Sequence, residues 1–319
     1  MRHLVTGGAG VIGFELVRQL LEQGDTVTTV DIGKKGGLAD LEALAARHPG
    51  RLELRRGDFA QDRALLRGNF DAFFHFAAIV GVQYVTDHPY ETMAVNMRTT
   101  LNALDAALES GCRTFFFASS SENYAASVDR GLAPIPTPED VLLAIDDIAL
   151  PRWSYAASKI AGESAVFGAA KLGKFTPIVV RFHNVYGPRM GPTHVIPEFL
   201  ARARAKVDPF PVFGADQTRS FLHVDDAARA LRAVLGAALE GKGGLYNIGS
   251  DRETQIAELA QLVFDVAGFH PTLDARPAPP GSVRRRVPDT RKLRALGFAP
   301  QRELREGIAE CWKASASAK

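Results

Sequence analysis

Short apolar runs recur through the first half of the chain, each bounded by polar or glycine-containing segments. They are "HLVT" (3–6), "TVTTVD" (26–31), "LELRRGD" (52–58), "DAFFHFAA" (71–78), "RTFFFASS" (113–120) and "TPIVVRFH" (176–183). Runs of this length, rich in valine, phenylalanine and threonine, predict strands. Residues 11–23, 38–47, 91–110 and 155–172 place apolar residues at helical spacing and lie between most of those strands. Strand–helix alternation predicts a parallel sheet covered on both faces, the doubly wound α/β class.

Past residue 184 the pattern loosens and proline becomes frequent. Residues 225–239 and 254–268 read as helices, 244–249 as a strand, and a closing helix is expected near 302–313. The expected division is a first domain of residues 1–183 plus about 224–250, and a smaller interleaved lobe of 184–223 and 251–319. The proline-containing, acidic stretch 125–152 is long for a connection, so it reads as an active-site lid or as a surface excursion. Residues 314–319, "ASASAK", are expected to fray.

With 319 residues, 46% hydrophobic and 23% charged, the composition is globular. A formal charge of +2 argues against nucleic acid or a membrane surface as partner. The two cysteines, Cys112 and Cys311, have no metal-ligand spacing and fit a reducing compartment. No apolar stretch is long enough to span a bilayer, and a cytoplasmic location is expected. No metal site is expected.

"VTGGAGVIG" places Gly7, Gly10 and Gly13 directly after the first strand and at the start of a helix. Glycine permits a sharp turn and close approach to a pyrophosphate, while the helix N-terminus offers N–H donors. Asp31 ends the second strand, where a carboxylate accepts from a ribose 2′-hydroxyl and repels a 2′-phosphate. The pattern predicts a Rossmann-like domain that binds NAD rather than NADP.

Further along, "WSYAASKIAGE" (153–163) puts Tyr155 and Lys159 on one helix face. With "GDF" (57–59), "HFAA" (75–78), "NMRTTLNAL" (96–104), "ASSSENYA" (118–125), "RFHNVYGPRMG" (181–191), "RSFLHVDD" (219–226), "YNIG" (246–249) and "RRRVPDTRKLRALGF" (284–298), the chain resembles the extended short-chain dehydrogenase/reductase family. The resemblance runs over nearly the whole chain and is strongest to that family's NAD-dependent sugar-nucleotide epimerases, dehydratases and decarboxylases. It implies a catalytic set of Ser120, Tyr155 and Lys159, with Glu122 as a further candidate. It implies that Gly7, Gly10, Val11, Ile12, Gly13, Asp31, Asp58, Phe59, Phe76, Ala77, Ala78, Asn96, Ser119, Tyr155 and Lys159 bind the cofactor. Ser120, Ser121, Asn184, Arg219 and Arg286 would bind a nucleotide-diphosphate sugar. It also implies a homodimer, commonly built from helices corresponding to 91–110 and 155–172. Val80, the "ENYA" segment and His183 depart from the common pattern and leave the sugar open.

Oxidising a sugar carbinol requires a base at its oxygen as hydride leaves. A tyrosine near pKa 10 is a poor base at neutral pH, and Lys159 together with a positive nicotinamide ring would lower it. Ser120 would orient the same oxygen. The resulting 4-keto sugar can be reduced on its other face, giving a 4-epimer. A uronate can instead lose carbon dioxide, and a base at C5 can expel water from C6. Glu122 resembles the glutamate of decarboxylases and dehydratases, and "PRWSY" resembles a bacterial glucuronate decarboxylase. The epimerase is favoured narrowly over those two, and an NAD(P)-dependent carbonyl reductase ranks below them.

Overall fold

The computed structural model describes residues 1–34, 37–278 and 283–317. Seven strands form the central sheet: β1 (Arg2–Thr6), β2 (Thr26–Asp31), β3 (Leu52–Arg56), β4 (Ala72–His75), β5 (Thr114–Ser120), β6 (Thr176–Phe182) and β7 (Gly244–Ile248). Their order is β7-β6-β5-β4-β1-β2-β3, and every neighbouring pair is parallel. The order reverses between β1 and β4, where Leu4 lies opposite Thr28 on one side and Phe73 on the other. The crevice at the carboxyl end of such a reversal is where α/β sheets bind ligands.

The phenylalanine runs explain the two covered faces. Side chains alternate along a strand, so Phe73, Phe115 and Phe117 enter one core while Phe74 and Phe116 enter the other. The first face packs on helices Pro89–Ser110 and Trp153–Ala170 through Ala103, Leu104, Ala107 and Val166. The second packs on helices Val11–Glu22 and Val224–Leu239 through Leu16, Leu20, Leu231 and Val234. Each buried phenylalanine contributes about 1.5–3 kcal/mol by leaving water.

A separate core of Ile196, Phe199, Phe210, Leu259, Val263, Phe264 and Ile308 lies under helices Val195–Arg204, Ile256–Ala267 and Leu304–Ser317. Small sheets edge it: Phe210–Phe213 pairs with Leu273–Arg276, and Thr218–Ser220 lies between Glu253–Gln255 and Arg285–Arg286. Leu293 and Phe298 pack into the core of the central sheet, although they fall in the 251–319 stretch assigned above to the second lobe. Within that stretch, 279–282 and 318–319 lie outside the described residues. Residues 314–317 continue the last helix instead of fraying, and 318–319 carry the rest of that expectation beyond what is described.

Two strands end two or more residues before their apolar runs do. β3 stops at Arg56 and β4 at His75, so Asp58, Phe59 and Phe76–Ala78 lie in loops leaving the sheet. The middle of 125–152 is fastened down. Thr137 donates its N–H to Val287 (2.9 Å) and its carbonyl accepts from Asp289 (2.9 Å), while the Glu139 carboxylate accepts from the Asn247 N–H (2.9 Å).

Candidate active site

The glycine turn sits at the β1/β4 reversal. Gly7 has φ +76°, and a Cβ there would lie 2.7 Å from the Ala77 nitrogen. A Cβ on Gly13 would lie 2.2 Å from the Gly7 carbonyl oxygen, so only glycine lets the helix start this close to the turn. Val11 and Ile12 open that helix, Ile12 packing against the core. At the end of β2, Asp31 accepts from Ala9 N–H (2.9 Å) and Gly33 N–H (2.7 Å). A carboxylate has about four lone-pair sites, so each oxygen keeps acceptor capacity for a ribose hydroxyl. These residues fit a dinucleotide.

The other expected cofactor residues fall around the same crevice in differing states. The Asp58 carboxylate accepts from Ala60 N–H (2.9 Å), closing its own turn. Phe59 is buried against His75, and its carbonyl accepts from the Asn102 amide (2.8 Å). Phe76 packs between Phe74 and Phe182, and Ala77 N–H reaches the Thr6 hydroxyl (3.3 Å), while Ala78 follows in the loop. Asn96 works as a brace: its oxygen accepts from Ile79 N–H (2.7 Å) and its amide donates to the Ser158 hydroxyl (3.2 Å). It thereby ties the loop after β4 to the helix carrying Tyr155 and Lys159.

Ser120 ends β5, its hydroxyl accepting from Glu122 N–H (3.2 Å), and it adjoins the Tyr155 phenol of the neighbouring helix. Lys159, one turn further, is buried and donates its ammonium to the Ala118 carbonyl at 2.7 Å. Its Nζ stands 5.7 Å from the centre of the Tyr155 ring. Burial pushes the ammonium down to about 7, opposed by Glu163. Burial also pushes the Tyr155 phenol up to about 12, opposed by the bond to Ser120, with Glu122 adding to the rise. The protein's own groups thus raise the phenol, and the lowering expected from Lys159 and a nicotinamide ring together rests on the ring. The desolvated phenolate faces a nearby carboxylate, and the charge of Lys159 is directed at a backbone carbonyl. A positive nicotinamide ring bound at the crevice would supply further electrostatic stabilisation of the phenolate and accept the hydride.

Beyond Ser120 the chain turns through Ser121–Tyr124, with Ser121 buried. Glu122 ion-pairs with Arg286 at 2.7 Å, and Arg152 lies 3.9 Å from its other oxygen. The charge of Arg286, then burial in opposition, sets the Glu122 carboxyl below its ordinary range. The short parallel pairing of Thr218–Ser220 with Arg285–Arg286 places Arg219 directly opposite Arg286. Burial and the charge of Arg286 push Arg219 down to about 10. Two adjacent guanidiniums in a half-buried sheet repel one another unless an anion joins them, and planar forks suit phosphate oxygens. Asn184 lies beside this sheet at φ +39°, its amide donating to the Ser220 carbonyl at 3.0 Å. Arg285 points elsewhere, pairing with Glu253.

The structure brings together polar residues that the quoted motifs contain but to which the sequence assigned no role. Glu163 and Arg181 form a buried ion pair. Arg181 also donates to the Tyr124 hydroxyl (2.7 Å), which donates to Asn247 (2.9 Å). His183 bonds Asn247 at 3.2 Å, and burial pushes it down to about 3, as it does His75. Neither histidine is poised for proton transfer near neutral pH. Glu163 closes the stretch "SKIAGE"; its place at i+4 from Lys159 was the available signal.

A parallel sheet with a glycine turn at its reversal is the α/β fold of dinucleotide-binding proteins, and a serine, a tyrosine and a lysine lie beside that turn. The chain belongs to the NAD dependent epimerase/dehydratase family, whose pattern matches residues 3–249. It is 34% identical to a UDP-N-acetyl-alpha-D-glucosaminuronate decarboxylase of Bacillus cytotoxicus, over 97% of this chain and 96% of the relative. It is 32% identical to a UDP-glucose 4-epimerase of Mycolicibacterium smegmatis, over 97% of each. Its structure is similar to the dTDP-glucose 4,6-dehydratase DesIV of Streptomyces venezuelae, crystallised with NAD. There the TM-score is 0.85 at 28% identity, with 100% of this chain and 98% of the other covered. Among the described residues no helix is long and apolar enough to cross a membrane, and no cluster of three or more His, Cys, Asp or Glu could hold a metal ion.

Proposed function

We propose that the chain is a sugar-nucleotide 4-epimerase: it oxidises the C4 hydroxyl of a nucleotide-diphosphate hexose and returns hydride to the opposite face of the 4-keto sugar. Tyr155 takes the hydroxyl proton and later gives it back, Ser120 orients the oxygen, and Lys159 supplies positive charge. Arg219 and Arg286, with Asn184, hold the diphosphate.

The observation that carries this reading is the state of Glu122. Its carboxylate is bound to Arg286 and held ionised, which makes it a weak base for C5 and removes it as a proton donor. The neighbouring position is Ser121, so no second carboxyl stands beside it in the turn to protonate a leaving C6 hydroxyl. A uronate carboxylate at this end of the sugar would also meet the negative charge of Glu122. Oxidation and re-reduction at C4 need neither group.

A second reading, uronate decarboxylation, rests on the Glu122–Arg286 pair standing beside Tyr155 and on the 34% identical decarboxylase. There the arginine side of the pair would receive the carboxylate. A carbonyl reductase leaves the Arg219–Arg286 pairing without a purpose. The homodimer is part of the proposal, supported by exposed Tyr90 and Leu101 on helix Pro89–Ser110.

The test is product analysis after incubating the protein with NAD and a panel of nucleotide hexoses and uronates. A stereoisomer of unchanged mass supports the epimerase, and Glu122→Gln should then retain most of the turnover. Release of carbon dioxide or water overturns it and places Glu122 in the chemistry.

A further inference from the structure

The Glu163 carboxylate is buried and accepts four hydrogen bonds. Its Oε1 receives the Ser119 hydroxyl (2.5 Å), the Asn123 amide (2.9 Å) and Arg181 Nε (2.8 Å); its Oε2 receives another Arg181 nitrogen (2.5 Å). Ser119 and Asn123 also bond one another at 3.0 Å. These two residues flank the turn that carries Ser120 and Glu122. Glu163 itself stands four residues after Lys159 and eight after Tyr155, so all three lie on one face of helix Trp153–Ala170. One carboxylate thus fastens both ends of the serine turn, and β6 through Arg181, to the helix that presents the tyrosine and lysine.

We propose that Glu163 is the positioning residue of this site, fixing the Ser120 turn against the Tyr155–Lys159 helix and supplying the negative charge that faces Lys159. The proposal deepens the functional reading above and rests on it for its effect on turnover. The groups facing Lys159 are Glu163 on its own helix, His75 from β4, the Phe117 ring and Ala118 carbonyl of β5, and Tyr155. His75 is neutral throughout the working range because burial pushes it down to about 3. Glu163 is then the group that favours a charged Lys159. Without it the ammonium loses its proton at lower pH.

The variant Glu163→Gln tests this with two readouts. The first is the NMR titration of Lys159 in the protein without substrate, which should move to lower pH than in the parent. The second is the pH profile of turnover. We expect kcat to fall by roughly a hundredfold near neutral pH through misplacement of Ser120. The KM for the nucleotide sugar should hold within about twofold, as expected when transition-state stabilisation rather than uniform binding is lost. The alkaline limb should shift to lower pH. A merely structural role would lower activity equally across pH and leave Lys159 unmoved.

Glu163→Gln leaves Arg181 a buried, unmatched charge and risks misfolding. The double variant Glu163→Gln/Arg181→Met removes both charges together, so kcat should still fall through misplacement of Ser120 while Lys159 titrates closer to the parent. An unmoved Lys159 titration in folded Glu163→Gln, or an undiminished kcat in the double variant, overturns the proposal. A shifted Lys159 in a protein inactive on every nucleotide sugar supports the placement of Glu163 and counts against the functional reading alone.

Discussion

In the proposed reaction Tyr155 carries the heaviest chemical burden of any single side chain, and its protein surroundings oppose the task. With the phenol pushed up to about 12, removing the hydroxyl should stop turnover while leaving the ring in place to pack. Tyr155→Phe is expected to lower kcat at least about a hundredfold, the range of a lost acid–base group. Bound NAD should be retained, as read by turnover and by cofactor released on denaturation. Retained turnover would remove Tyr155 from the role given to it. Asp31 makes a different kind of prediction. Both its oxygens are already held by backbone N–H groups of two neighbouring loops, so the carboxylate is fixed where a 2′-phosphate would be repelled. Asp31→Ala should narrow the preference for NAD over NADP, measured by titrating both. An unchanged ratio would mean that discrimination lies elsewhere.

At the scale of elements, the site depends on how closely helix Trp153–Ala170 approaches β5. Gly162 faces that strand, and a Cβ there would stand 2.4 Å from the buried ring of Phe117. Phe117 also lies 4.8 Å from the Lys159 ammonium, so displacing either element disturbs the lysine. Overpacking of this kind costs about 1–3 kcal/mol, partly offset by the better helix propensity of alanine, about 1 kcal/mol. Gly162→Ala should therefore lower stability in chemical denaturation and lower turnover as well. A variant as stable and as active as the parent would show that the helix has room to move. The central elements were legible because strand alternation and helical spacing are local properties. The small sheets of 218–220, 253–255 and 285–286 were not: each strand has two or three residues, too few for periodicity, and exists through its partners. The same holds for the tether of 137–139, whose fastening to Val287, Asp289 and Asn247 lies far along the chain.

For the whole molecule, buried neutral histidines govern the response to acid. His75 and His183 are pushed down to about 3 by burial, from an ordinary value of 6.5. Between those values the unfolded chain binds protons that the folded chain refuses, so stability rises with pH there and falls as pH drops below about 6.5. Each histidine contributes a slope on the order of 1 kcal/mol per pH unit across that window. Urea unfolding at a series of pH values should show the midpoint falling steadily from near 6.5 toward 4. A flat profile would mean that both rings are protonated in the folded state.

The sequence by itself determined the doubly wound sheet and the glycine turn with Asp31, and put Tyr155 and Lys159 on one helix face, because each rests on spacing along one strand or one helix. Resemblance added Ser120 and, singly, Arg219 and Arg286. Only the tertiary structure decided that these two arginines stand opposite each other, that Glu122 is tied to one of them, and that Glu163 joins the serine turn to the catalytic helix. The physical reason is common to all of these. Charge pairing and desolvation depend on distances between residues tens to more than a hundred positions apart, and those distances are set by packing, which no local pattern encodes.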